Sequence, residues 1–134
     1  MTETVSVRLV GGSDGERATF EVSDEENRCL LTCRYRDKTI SSEAADFFDA
    51  LVSIRRQLQH DGLIPYCYGA SLNVFPSTMA RDMGRGLKAY KLAPGKHSNR
   101  ADLVGIFDEG TDVVPADVDA QEQFFRDWIE SPRS

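Results

Sequence analysis

At 134 residues, 40% of them hydrophobic and 28% charged, the chain has the length and balance of a single domain, 1–134, able to bury a core without disulfide or metal. Its apolar runs fall far short of the ~18 residues that span a bilayer, and "MTETVSVRLVGG" lacks the basic flank and apolar centre of a secretory signal. A net charge of −6 argues against nucleic acid as a partner, which asks for a basic face, so the expectation is a cytoplasmic protein without membrane or nucleic-acid partners.

In chain order, "TVSVRLV" alternates Val5, Val7 and Leu9 against Ser6 and Arg8, the period of a half-buried strand. "GGSDG" is a turn, "RATFEV" resumes the alternation through Ala18, Phe20 and Val22, "SDEEN" turns again, and "RCLLTCRYR" is a third strand. From "SSEAADFFDALVSIRRQLQHDG" the period becomes helical, with Phe47, Leu51, Ile54 and Leu58 on one stripe. Ser41 or Ser42 is the expected cap, Glu43 and Asp46 suit the positive end, and Gly62 is placed to stop the helix.

"LIPYCYGASLNVF" reads as a strand, with Gly69 marking a bulge or close approach. Pro76 ends it and Ser77 caps a short helical turn through "TMARDM", closed by a left-handed Gly84. Met79 and Met83 then share a face and are expected to plug onto the core. "LKAYKLA" is a short strand, Ser98 starts another turn into "RADLVGIF", and "DEGTDVVP" is an acidic connection. Asp117 caps a C-terminal helix whose Phe124, Phe125, Trp128 and Ile129 form the docking stripe, leaving "SPRS" frayed. The fold class is α+β: one mainly antiparallel sheet of about five strands, with a long central helix and a C-terminal helix packed on it.

Cys29, Cys33 and Cys67 are too few and too isolated from His60 and His97 to suggest a metal site, so reduced thiols are expected and no cofactor is implied. Ser77, Cys33 and Cys67 are conceivable nucleophiles, but none has a partner histidine in a recognisable context, so no catalytic residue is assigned.

Charge is unevenly spread. Residues 1–76 hold 12 acids and 8 bases, residues 77–100 one acid and six bases, and residues 101–134 nine acids and two bases, giving −4, +5 and −7. A basic, glycine-punctuated segment inside an acidic chain fits a small anionic ligand or an acidic patch on another protein. Equally, it fits a loop that neutralises the acidic C-terminal segment. "GRG" matches no known phosphate cradle. The candidate binding set is Tyr68, Asn73, Ser77, Arg81, Asp82, Arg85, Lys88 and Tyr90. Asn73 and Ser77 are placed to orient a ligand, Arg81 and Lys88 to hold an anionic group, and Tyr90 to stack or hydrogen-bond. Asp82 is read as a local ion pair with Arg81 or a carboxylate that pins backbone amides.

The stretch "YCYGASLNVFPSTMARDMGRGLKAY", followed by "LVGIF", resembles a family of small, functionally unassigned bacterial proteins sharing a pattern like N-x-x-P-S-x-M-x-R-D-M-G-x-G-x-K-A-Y. The resemblance runs from the long helix to Phe107 and implies no catalytic role. In size and charge such proteins are similar to immunity proteins of bacterial toxin systems. That likeness makes the first expectation a protein-binding module, an immunity-type inhibitor whose partner is a toxin domain. The alternative is a small-molecule or nucleotide-binding protein using the 68–90 loop.

Overall fold

The computed structural model describes residues 2–26 and 28–132. Its elements run β1 (Thr2–Val10), β2 (Arg17–Glu25), β3 (Arg28–Tyr35), β4 (Lys38–Ala44), α1 (Phe47–His60), β5 (Ile64–Pro65), β6 (Val74–Phe75), α2 (Thr78–Gly84), β7 (Lys88–Lys91), β8 (Leu103–Gly105) and α3 (Val118–Glu130). Short 3₁₀ turns lie at Tyr68–Ala70 and Arg100–Asp102. Asn27, expected in a turn, and Arg133 and Ser134, expected to fray, lie outside the described residues.

The class is α+β. An antiparallel five-stranded sheet has the order β4-β3-β2-β1-β5, and a second, three-stranded sheet has the order β6-β7-β8. The first three strands follow the alternation of their sequences. Val7, Leu9, Ala18, Phe20, Val22, Cys29, Leu31 and Cys33 all point to the core, because a pleated strand sends every second side chain to the same face.

Three expectations are corrected. Residues 38–44 form a strand, not the run-in to a helix: all seven pair with β3, from Tyr35↔Lys38 to Cys29↔Ala44. Ser41, Ser42 and Glu43 have good cap chemistry, but a full ladder outweighs propensity here. The helix begins at Phe47, and Asp46 is its cap, accepting from Asp49 N at 2.8 Å. Second, "LIPYCYGASLNVF" is not one strand. It breaks into β5, a 3₁₀ turn and β6, and Gly69 is there because a Cβ would stand 2.6 Å from Leu51 Cδ2 and 2.9 Å from Ile106 O. Third, the strands divide into two sheets, and α3 packs against β6 and α1. It docks through Val118 and Gln121, which are buried, through Phe125, stacked 4.0 Å from Phe75, and through the Trp128 indole N–H, which donates to Ala93 O and Lys96 O. Ile129 remains 49% exposed.

α1 buries Phe47, Leu51, Ile54 and Leu58 as its period requires, and Arg55 with them. Arg55 is 1% exposed. Its guanidinium donates to Gly69 O at 3.1 Å, Ala116 O at 2.9 Å and Gln121 Oε1 at 2.6 Å. Burial pulls its pKa down to about 10, so it remains charged at neutral pH. The Gln121 amide donates in turn to Gly69 O, Ser71 O and Val74 O, each at 3.0 Å. All three thiols are free and buried. Desolvation pushes Cys33 up to about 12 and Cys67 up to about 11, which keeps them protonated and unreactive.

Replacing Gln121 with Leu keeps the volume but takes a donor from three buried carbonyls, of which Gly69 O keeps Arg55 and Ser71 O keeps Val74 N at 3.2 Å, and leaves one side of the guanidinium unsatisfied. We expect a loss of about 3–5 kcal/mol in denaturant unfolding at unchanged slope. A loss below about 1 kcal/mol would mean that the amide is dispensable.

Candidate functional site

α2 is the element from which the site is built. Ser77 caps it, its hydroxyl oxygen accepting from Ala80 N at 3.0 Å. The helix closes on Arg85, which takes the left-handed conformation at φ 60°; Gly84 was the expected terminator, and the left-handed glycine is Gly86, at φ 70°. Gly86 also lies so close to the start of α1 that a Cβ would meet Asp46 Oδ1 at 2.7 Å and Phe48 N at 2.9 Å. Both glycine properties are needed at this one position.

Arg81 and Arg85 fasten this segment to the rest of the molecule. One Arg81 nitrogen lies 3.0 Å from Asp46 Oδ2 and 2.8 Å from Asp49 Oδ1, and the guanidinium sits over the Phe48 and Phe75 rings at 5.3 and 5.5 Å. Burial works to lower its pKa, but Asp49 and Asp46 outweigh burial and raise it. Arg85 donates to Asp24 Oδ1 at 3.0 and 2.7 Å and to Glu25 O at 2.9 Å, while its own carbonyl accepts from Phe47 N at 2.7 Å. The basic segment therefore does compensate acids of its own chain: Arg81 at the start of α1, Arg85 at the end of β2, and Lys91 at Asp112 in the acidic C-terminal segment, ahead of the C-terminal helix. Asp82, expected beside Arg81, is exposed and has no polar partner among the described residues.

The eight candidate residues do not converge on one point. Tyr68 donates to Asp112 Oδ1 at 2.6 Å, and Lys91 lies 2.7 Å from Asp112 Oδ2 and over the Tyr68 ring. Asn73 accepts from the Ser71 hydroxyl and lines a separate hollow with Lys96 and His97. Arg81 and Arg85 are anchors. Only Ser77, Lys88 and Tyr90 share a concavity.

That concavity is a groove of about 640 Å³ between α2, the outer face of β7–β8 and the Arg100–Asp102 turn. Its floor is Lys88, Tyr90 and Leu103. Tyr90 pairs directly with Leu103, while Ala89 between Lys88 and Tyr90 points into the core. Met79, Ala80 and Leu87 make one wall, and Ser98, Asn99 and Arg100 the other. The volume falls in the range of roughly 300–1,000 Å³ that ligand and anchor pockets occupy.

Met79 and Met83 correct the sequence expectation most sharply. They share a face of α2, but that face looks outward: Met79 is 69% exposed and Met83 80%. Sequence reasoning also missed Leu103, Asn99 and Arg100 as groove residues; only the turn signals around "HSNRAD" pointed there. Among the described residues, no cluster of three or more His, Cys, Asp or Glu side chains could hold a metal, and no helix is long and apolar enough to cross a membrane. Neither a protein-family model nor a curated protein matches the chain.

Two outcomes follow from this geometry. Gly86→Ala should cost on the order of 1–3 kcal/mol, read by thermal unfolding, since it both strains the backbone and displaces Asp46 from Arg81. Asp112 carries a pKa held down to about 2 by Lys91 first and Tyr68 second. Its folded value lies below the ordinary 3.8, so its contribution is complete above that value and fades as pH falls toward 2. Asp112→Asn should therefore flatten the acid limb of a stability-versus-pH curve between those values, with little change in slope near neutrality.

Proposed function

We propose that this chain is a protein-binding module whose contact surface is α2 together with the groove beside it. The single observation that carries this is the pair of exposed methionines on a helix whose backbone is capped at one end and salt-bridged to α1 and the β2–β3 turn at the other. A monomer has no folding reason to hold two large apolar side chains in water on a rigid platform, whereas methionine is over-used where a surface must adapt to a partner. The Ser77 hydroxyl is engaged as a cap and the thiols are buried and protonated, so the three side chains weighed as nucleophiles are otherwise occupied, and no catalytic step is assigned. The narrower form suggested by the 73–90 motif, by size and by charge is an immunity-type inhibitor that occupies the cleft of a toxin domain in the cytoplasm.

A second reading is favoured by the volume and apolar lining of the groove: a small amphipathic ligand, held by Lys88 and Tyr90. Arg81 and Arg85, whose heads are already salt-bridged, would contribute only by giving up those bonds. A thermal-shift screen with nucleotides and small organic acids separates this reading, because a ligand at 100 times its Kd stabilises by about 2.7 kcal/mol.

The protein-binding reading is tested by placing a photo-crosslinking residue at position 79, at position 83 and, as a control on the large sheet, at position 34, in cells producing the full chain. Adducts with one partner protein are expected from 79 and 83 and not from 34. The partner should be lost from pull-downs by a Met79→Glu, Met83→Glu double variant with unchanged thermal stability, since both sites are exposed. Absence of an adduct, or equal adducts from all three positions, would overturn the assignment.

A further inference from the structure

Resting on the protein-binding reading above, we infer that the groove beside α2 takes an acidic-apolar segment of the partner, a stretch in which a bulky apolar side chain adjoins an Asp or Glu. The basic segment divides into two groups. Arg81, Arg85 and Lys91 each have a carboxylate oxygen of their own chain within 2.7–3.0 Å. Lys88, Lys96 and Arg100 have no carboxylate partner among the described residues, and two of these three, Lys88 and Arg100, line the groove. In a chain with 22 acids and 16 lysines and arginines, cations left over beside an apolar floor are the exception.

The acid two residues from Arg100 does not neutralise it. Asp102 is committed to the turn itself: its Oδ2 accepts from Asn99 N at 2.9 Å, and Asn99 Oδ1 accepts from Ala101 N at 2.9 Å. This reciprocal cap fixes the turn that presents Arg100 and removes Asp102 as a competitor. Between the two cations lie Tyr90 and Leu103, with Met79 on the wall. An apolar side chain seated there excludes water and lowers the local dielectric, so a neighbouring carboxylate gains more from Lys88 and Arg100 than it would at an open surface. A basic residue in the same place would meet two unneutralised cations. The negative charge of the rest of the chain does not reverse this preference, because beyond roughly 8 Å it is screened at physiological salt.

The test uses a phage-displayed random dodecamer library selected in parallel on the immobilised full chain and on a Lys88→Glu, Arg100→Glu variant whose fold is checked by circular dichroism. Wild type should enrich peptides with Asp or Glu beside Leu, Ile, Met or Phe, and the charge-reversed variant should enrich Lys or Arg in those places. A synthetic peptide from the wild-type selection should bind the Lys88→Gln, Arg100→Gln variant about tenfold more weakly. It should bind the Met79→Glu variant more weakly as well. If both proteins enrich the same apolar peptides without acidic bias, the electrostatic inference is overturned while the groove stands as a peptide site. If neither selection enriches anything, or if bound peptides ignore Met79→Glu, the protein-binding reading of the groove falls with it.

Discussion

The buried Arg55–Gln121 pair is the constraint on which the site's position depends. Taking a guanidinium out of water costs several kcal/mol even after relaxation, and among the described residues no carboxylate forms an ion pair with it. Instead, the positive charge is met by two backbone carbonyls and an amide oxygen. Gln121, itself 1% exposed, uses its other end to collect three carbonyls from 69, 71 and 74. The irregular stretch between α1 and β6 therefore has its orphan carbonyls turned toward α3 rather than toward solvent. A loop satisfied in this way is held as firmly as a strand. Its end is the start of β6, the first strand of the small sheet whose outer face forms the groove.

From there the order passes outward through charge. β6 leads through Pro76 to α2, and α2 is tied back by Arg81 to the first turn of α1 and by Arg85 to the β2–β3 turn. These bonds explain why an arginine, not a glycine, occupies the left-handed position at the end of α2. The backbone strain there is on the order of 1 kcal/mol, and it is offset by a side chain that makes three hydrogen bonds within 3.0 Å to two oxygens, Asp24 Oδ1 and Glu25 O. The same residue's carbonyl accepts from Phe47 N, so one residue joins the termini of two helices and a hairpin.

Local features of this arrangement were legible in the sequence, and pairings were not. The stripe 47, 51, 54, 58 gave α1 its buried face, and Asp117 its role as the cap of α3. The basic cluster was visible by counting. Its allocation was not, because Asp24, Asp46 and Asp49 are distant in sequence and only the fold brings them to Arg81 and Arg85. Arg55 and Gln121 carried an overlooked signal: each sits in line with apolar neighbours, Leu51 and Leu58 for the first, Val118 and Phe125 for the second. A polar residue inside such a stripe asks for a buried partner. The strand at 38–44 was missed for the opposite reason, since serines and a glutamate supply helix-start chemistry whatever the neighbouring strand imposes. The spacing of Met79 and Met83 shows that they share a face, but spacing alone cannot tell which side of a short helix meets the core.

The outward methionines acquire meaning from the rigidity beneath them. A groove of this size accepts one or two side chains, well short of the roughly 800 Å² per partner that a specific interface buries. Met79 at its wall and Met83 one turn further on extend the apolar contact along α2. Burying both fully would contribute about 3–6 kcal/mol by transfer, from which about 1.5–2 kcal/mol each is lost in ordering the side chains. The balance is modest and is realised only if the backbone needs no ordering of its own. Ser77, Arg81, Arg85 and Gly86 meet that condition by holding the platform still; in the proposed binding mode the adaptable side chains on this fixed helix would supply fit, and Lys88 and Arg100 direction.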